Sequence, residues 1–446
     1  MKTGDRLAMM DGGHQAHVFQ VDTWMDGTSC EAFINEQIAR CDGPLALLML
    51  ELRGMGESPG APIIDLALDR QAPSLAFEPP LPAQARIALL DHGHVAVLLP
   101  YVGREDAIAL GCAITSNCVI MQHAGAPSAR VTVRAGLAVS PEHGNICRLL
   151  IDRAQLALRE LRNRKAGGLA VFAPHLEQQA AVRARLRGEL QRALHEDTFE
   201  LHYQPQCDIV SGRLIGFEAL LRWRHPSRGL LEPAQFLEVL EESAWALEAD
   251  WWVLRAAAHR GALWLRAGRP LRIAVNISPG ALRPALVEEV ARALDESGLP
   301  PHFLEIEIPE RHALHELEEA AETVRRLRRF GVSVALDDFG TGYASLNALQ
   351  MLDIDRLKID RGFVRCITSN PKSAAIVESL IGLQGKLGLR VLAEGVETEE
   401  QRALLTSLGC REGQGFLFSR AVPAPAAYAL IHKGRVPAER ADRRAS

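Results

Sequence analysis

The sequence predicts an α/β chain whose C-terminal half is a (β/α)8 barrel and whose N-terminal part is a smaller α+β domain. Three observations carry this. From Phe199 on, eight short apolar runs alternate with helical stretches over roughly 240 residues, the length and rhythm of such a barrel. Before Phe199 the runs are interrupted by Pro and Gly and mix hairpin and helix signals. Several of the later runs end on a polar residue that packing does not need, above all the adjacent acids Asp337-Asp338 after Phe330–Leu336.

Taken in order, residues 1–27 read as polar loop, with turns at Asp11-Gly12 and Asp26-Gly27. Ser29–Cys41 reads as a helix with Ala32, Phe33 and Ile38 on one face. Leu45–Leu52 is a short apolar strand. Gly54–Pro82 is broken by Ser58-Pro59-Gly60 and Glu78-Pro79-Pro80, which forbid a long helix over most of it. Ala88–Leu90 and Val95–Leu99 flank Asp91-His92-Gly93-His94, a hairpin signal. The His92-x-His94 pair has no third ligand at a metal spacing and is read as a turn. Arg104–Ser116 is a helix, Arg130–Val139 a strand, Asn145–Asn163 a helix and Leu169–Phe172 a strand, completing a domain over 1–173. His175–Glu196 lacks proline and keeps Leu176, Val182, Leu186, Leu190 and Leu194 near one face. It reads as a connecting helix over 174–196; a helix belonging wholly to one domain is equally compatible.

The barrel strands are expected at Phe199–Tyr203, Leu214–Leu221, Leu271–Ile277, Phe303–Ile308, Val332–Leu336, Arg356–Ile359, Val391–Ala393 and Gly415–Phe418. Helices are expected at Pro233–Leu247, Asp250–Ala267, Pro284–Ser297, Glu316–Arg329 and Ser373–Leu387. The barrel domain spans 187–433, and 434–446 is a polar tail.

Composition narrows the function. A net charge of −5 carries no electrostatic signature of nucleic-acid binding. The first dozen residues hold no apolar signal segment, and no apolar run reaches the ~20 residues of a membrane span. The eight cysteines are scattered without C-x-x-C spacing, so the expected setting is the reducing cytoplasm, with no Cys-based zinc site.

In a barrel the C-terminal strand ends face one mouth, so their polar residues converge. Here these are Glu218, Asn276, Glu307, Asp337, Asp338, Lys358, Glu394 and Gln414. Any one of them is explained by a solvated strand end; the whole set is not. It is rich in oxygen donors and contains no His or Cys, which selects Mg²⁺ or Mn²⁺ over Zn²⁺. More carboxylates than one small cation uses points to two ions and an activated water, the arrangement for phosphodiester cleavage. Asp338-Phe339-Gly340 matches the kinase Mg²⁺ motif, but no H-R-D loop or Gly-rich loop accompanies it, so a kinase is rejected.

Tyr203-Gln204-Pro205-Gln206, Glu218-Ala219-Leu220, Asn276-Ile277-Ser278, Asp337–Tyr343, Lys358-Ile359-Asp360, Ala393–Thr398 and Gln414–Phe418 follow one another in family order. On these motifs Arg187–Ile431 closely resembles the EAL domains, phosphodiesterases that cut cyclic-di-GMP to linear pGpG. The resemblance implies a TIM-like barrel with one strand reversed. It implies two Mg²⁺ or Mn²⁺ ions held, directly or through water, by Glu218, Asn276, Glu307, Asp337, Asp338 and Glu394. By it, Lys358 contacts the catalytic water, Gln414 supports the site, and Glu310 holds the loop after the Asp pair. Gln204, Arg222 and Asp360 then contact the dinucleotide, and a homodimer through the barrel is a possibility. Pro309 stands where Thr is usual and Ala344 where Ser is usual, which bears on loop control rather than on metal chemistry.

The first domain resembles a degenerate GGDEF (diguanylate cyclase) domain, through Val131–Val139 with Leu149–Arg164 and through Val95–Leu99. Asp91-His92-Gly93-His94-Val95 replaces the signature, Glu51 keeps one acid of the early metal segment, and Pro82 and Ala85 replace the inhibitory-site residues. The resemblance therefore implies no cyclase activity and either a regulatory, dimerising or partner-binding role or an inert structural remnant. Two readings of the barrel remain beside the phosphodiesterase: a non-catalytic cyclic-di-GMP receptor or scaffold, and an enolase-like Mg²⁺ site with Lys358 as base.

Overall fold

The computed structural model describes residues 6–9, 15–20, 27–40, 42–54, 74–77, 81–89, 94–116, 118–121, 129–161, 167–310, 317–340 and 346–434. The chain divides into two compact units, Met1–Ala184 and Arg185–Ser446.

The first unit is built on a nine-stranded sheet. Its central strand, Leu45–Gly54, lies antiparallel to Ala129–Ser140 on one side and His94–Pro100 on the other. Side chains alternate across a strand, so this continuous apolar run serves two faces. Leu45, Leu47 and Met49 pack with Leu150, Ala154 and Leu158 of the helix Cys147–Arg159. Leu48 and Leu50 pack with Ala107 and Ile114 of the helix Arg104–Ser116.

The loop expected over residues 1–27 is corrected here. Arg6–Met9 and Gln15–Gln20 pair as antiparallel strands, and Ser74–Phe77 and Cys118–Met121 extend that part of the sheet. These strands are four to six residues long, and Gln15–Gln20, Ser74–Phe77 and Cys118–Met121 pair with segments distant in the chain, which a local pattern does not report. Arg86–Leu89 and His94–Pro100 form the expected antiparallel pair; their turn, with His92, lies outside the described residues.

The division between the units falls inside the helix Pro174–His195. Leu176 packs with Phe172 in the first unit, whereas Leu186, Leu190 and Ala193 pack with Phe199, Trp223 and Phe236 in the second.

The second unit is a closed barrel. Its strands are numbered β1 (Phe199–Asp208), β2 (Leu214–His225), β3 (Arg272–Asn276), β4 (Leu304–Pro309), β5 (Ser333–Phe339), β6 (Arg356–Ile359), β7 (Arg390–Ala393) and β8 (Glu412–Gln414). From β2 to β8 each neighbour is parallel. β1 is antiparallel to both β2 and β8 and closes the ring, so one strand is reversed. Helices cover the outside, and their ends follow local chemistry. The helix Pro371–Leu387 starts on Asn370, whose side chain accepts from Lys372 N and Ser373 N, and stops at Gly388 in the left-handed region.

Two expectations change. The single helix over Pro233–Leu247 is a 3-10 turn Pro233–Gln235, a one-turn helix Leu237–Glu241 and then the start of Ala246–Arg266. Ser243 makes the break: its hydroxyl donates to Leu240 O at 2.6 Å and accepts from Trp245 N, competing with the helical ladder. The eighth strand is not Gly415–Phe418 but Glu412–Gln414. Gly415 lies against Val396, where a Cβ would stand 2.2 Å from the Val396 carbonyl oxygen, and Phe418 N donates back to Gly415 O, so the chain turns there. The shift places Gln414 at the C-terminal end of its strand, at the same mouth as the other polar ends.

Candidate active site at the C-terminal mouth of the barrel

The mouth holds one buried charged cluster. Lys358, fully buried on β6, places Nζ 2.8 Å from Glu307 Oε2, 3.0 Å from Asp337 Oδ1 and 2.8 Å from Glu394 Oε1. Glu218 on β2 lies 3.8 Å from the same ammonium. Its two oxygens accept from Asn276 Nδ2 at 2.6 Å and from Gln414 Nε2 at 2.5 Å. Glu218, Glu307 and Asp337 each offer an oxygen within 4.8 Å of one another, and so do Asp337, Asp338 and Glu394. Asp337 belongs to both groups.

The way Asp337 and Asp338 are aimed comes from a bulge. Against β6, Leu336 pairs with Leu357 but Phe339 pairs with Ile359, so β5 carries one extra residue across the Asp pair. Asp338 takes up the distortion at φ 52°, a left-handed conformation unusual for a residue with a side chain. Asp337 Oδ1 accepts from Asp338 N at 2.9 Å. Just beyond, Glu310 Oε2 accepts from Gly340 N at 2.7 Å, and Glu310 N donates to Asp337 O. Pro309 pairs with Asp337 in the sheet and leaves these bonds in place. Residues 341–345, with Ala344, lie outside the described residues.

Gly340 sits at φ 99°, and a Cβ there would stand 2.5 Å from the Phe363 ring. Gly340→Ala is therefore expected to cost about 1–3 kcal/mol in denaturant unfolding and to disturb the Glu310 contact; a neutral substitution would contradict this geometry.

Four carboxylates face one ammonium in a buried space, with Asp338 exposed at its rim, and the electrostatics record the conflict. Burial pushes Glu307 well above the usual carboxylate range, with Glu218 and Asp337 adding to it. Glu394 is raised by burial and by Asp337, and Asp337 by burial and by Glu218. Asp338, nearer the opening, is raised to about 6 by partial desolvation and by Asp337. Glu218 alone is lowered: burial opposes this, but Lys358, Gln414 and Asn276 outweigh it. Burial would lower Lys358, yet the surrounding acids hold it well above the ordinary amine range. Both oxygens of Glu307 and Oε1 of Gln414 lack an aligned hydrogen-bond donor among the described residues, even with the ammonium close by. Hard oxygens in excess, buried and short of donors, fit divalent cations such as Mg²⁺ or Mn²⁺.

The other expected residues surround this cluster. Gln204 on β1 pairs in the sheet with Glu218, and its amide donates to Ser419 O at 3.5 Å. Arg222, one alternation further than Leu220 along the face of β2 that carries Glu218, is buried and donates to Leu221 O. Asp360 caps the helix Arg361–Cys366 through Gly362 N and adds to the repulsion felt by Asp338. A cavity of about 440 Å³ opens beside Asn276, Asp337 and Asp338, walled by Leu221, Leu240 and Val253. Sequence reasoning missed two acids in that wall, Glu241, raised to about 7 by burial and by Asp250, and Asp250 itself. Asp250, carried by the helix Ala246–Arg266, accepts from both the backbone and the hydroxyl of Ser278, and it is raised to about 6 by burial. The only signal for it was an Asp among apolar helix neighbours.

The EAL domain family matches residues 187–421, just over half of the sequence. The chain belongs to the EAL domain family. Among curated relatives, the cyclic di-GMP phosphodiesterase NbdA of Pseudomonas aeruginosa is 39% identical over 298 residues, 66% of this chain and 38% of that protein. The bifunctional diguanylate cyclase/cyclic di-GMP phosphodiesterase MucR of the same organism is 34% identical over 394 residues, 87% of this chain and 57% of that one. The chain thus spans less than two thirds of the length of these relatives. Among solved structures, a MucR phosphodiesterase in complex with c-di-GMP is 40% identical with a TM-score of 0.53, covering 55% of this chain and 99% of that one. In this EAL domain, Glu218-Ala219-Leu220 lies on β2 with its Glu at the centre of the cluster. Among the described residues, no helix is long and apolar enough to cross a membrane.

Proposed function

We propose that this EAL domain hydrolyses one phosphodiester of cyclic-di-GMP to give linear pGpG, using two Mg²⁺ or Mn²⁺ ions. The observation that carries the reading is the pair of oxygen clusters sharing Asp337, each able to hold one ion. Glu218, Asn276, Glu307, Asp337, Asp338 and Glu394 are the ligands in this reading. When bound, the ions supply Lewis acidity toward a water and offset charge developing on the phosphodiester. The chain's own part is positioning. Asn276 and Gln414 fix the orientation of Glu218, Lys358 holds three acids at one point, and the β5 bulge turns Asp337 inward and leaves Asp338 at the rim. Lys358, protonated throughout, orients the attacking water and neutralises phosphate charge. Gln204, Arg222 and Asp360 face the dinucleotide.

The first unit is proposed to be a degenerate GGDEF-like domain without cyclase activity, acting on the barrel or on a partner. In support, the alignment with MucR runs well beyond the barrel. Its remaining acid, Glu51, is buried against Arg134, with Nη1 3.3 Å from Oε1, a cation already in place where the family resemblance puts a metal carboxylate.

The test is incubation of the purified chain with cyclic-di-GMP and Mg²⁺ or Mn²⁺, with products separated by chromatography. Appearance of pGpG supports the reading; tight binding without product favours a receptor and overturns it.

A pH dependence follows. Carboxylates whose pKa is raised hold protons that a cation must displace, so affinity is highest above the raised values and falls as pH drops through about 6, where Asp338 titrates. Mn²⁺ titration calorimetry between about pH 8 and about pH 5.5 is expected to show affinity falling about tenfold per pH unit for each proton released. Flat affinity over that range would count against these carboxylates as ligands.

A further inference from the structure

A second ionic layer lies directly beneath the site, inside the barrel. Arg356 on β6 is fully buried; its Nη1 donates to Glu305 Oε1 on β4 at 2.8 Å and to Gln206 Oε1 on β1 at 3.0 Å, and its Nη2 lies 2.6 Å from Glu412 Oε2 on β8 as an ion pair without hydrogen-bond alignment. Glu305 also takes Arg272 of β3 at 3.2 Å. β5 separates β4 from β6, and β7 and β8 separate β6 from β1, so these bonds cross the lumen rather than run along the sheet. A barrel interior is ordinarily filled by Val, Ile and Leu, and a buried ion network is generally no more stabilising than apolar residues of the same volume. Stability alone therefore does not account for it.

Its place does. Residues two apart on a strand share a face. Glu305 lies two residues below Glu307, Arg356 two below Lys358 and Glu412 two below Gln414. On the reversed β1, Gln206 lies one layer below Gln204, which pairs with Glu218. Four strands thus carry one residue of the lower layer and one of the candidate site.

We infer that Arg356 is a positioning residue: by hydrogen bonds to β1 and β4 and an ion pair to β8 across the lumen, it fixes how far Glu307, Gln414 and Gln204 stand from Lys358. The inference rests on the reading of the upper layer as a cation site. Guanidinium geometry is what allows three partners on three strands to be met by one side chain, and a Lys offers only a point charge.

The test compares Mn²⁺ affinity by titration calorimetry, without nucleotide, in the wild-type chain and in Glu305→Gln/Arg356→Met, which removes the link while keeping the charge balanced. The double variant is expected to keep its circular dichroism and a cooperative thermal transition while binding Mn²⁺ at least about tenfold more weakly, although no residue of the lower layer touches the cation. A folded double variant with wild-type affinity overturns the inference. If the double variant does not fold, Arg356→Lys is measured instead: a several-fold loss supports the inference and unchanged affinity overturns it. A wild-type chain that binds no Mn²⁺ overturns the cation reading itself, a result distinct from either.

Discussion

Glu218→Ala is expected to lower turnover of cyclic-di-GMP about 10³-fold or more. Glu218 is the one acid of the cluster whose pKa is lowered, so it is the anion a cation meets first as pH rises. Its removal deletes a ligand and leaves the amides of Asn276 and Gln414 without their acceptor. The same change relieves repulsion on Glu307, Asp337 and Glu394, each of which feels Glu218 as a like charge. Unfolding in metal-free buffer should nonetheless show a loss of about 1–3 kcal/mol, because the two amide bonds and the ammonium contact that hold the Glu218 pKa down are lost with it. Steady-state kinetics beside denaturant titration checks both halves; a variant that keeps most of its turnover would remove Glu218 from the mechanism.

Lys358→Met has the larger effect on stability. The substitution keeps the length of the side chain and removes the cation that lies about 3 Å from three acids. Metal-free protein is expected to lose about 3–5 kcal/mol, as when one partner of a buried ionic set is deleted. Mn²⁺ at about a hundredfold its dissociation constant is expected to return about 2.7 kcal/mol by binding only the folded state. Turnover should stay low even at saturating Mn²⁺, because the group that orients water is gone. Denaturant unfolding with and without Mn²⁺ reads the stability effect. Equal stability of wild type and variant in metal-free buffer would contradict the charge accounting of the cluster.

The barrel was legible in the sequence because its parallel strands are buried on both faces and read as continuous apolar runs, such as Val332–Leu336 and Val391–Ala393. The residues around the mouth were legible because Glu, Asn, Asp and Lys at the ends of such runs have no packing use. What stayed hidden depends on partners distant in the chain. The β5 bulge exists only in register with β6, so adjacent acids could be seen at Asp337-Asp338 but not the turn that aims them. Phe416-Leu417-Phe418 has the apolar character of a strand, and only the contact of Gly415 with Val396 makes it a turn. The lower layer was hidden because Glu305, Arg356 and Glu412 look like ordinary surface charges until the barrel closes around them. In the first unit, the short strands at Arg6–Met9 and Gln15–Gln20 are defined by pairing alone.

The central claim is that the two oxygen clusters sharing Asp337 hold two cations. Calorimetric titration of the metal-free chain with Mn²⁺ tests it most directly. The account predicts two ions per chain in the wild type and one in Asp338→Asn, with Asp337→Asn losing both. A wild-type chain that turns over cyclic-di-GMP with a single bound ion would contradict it.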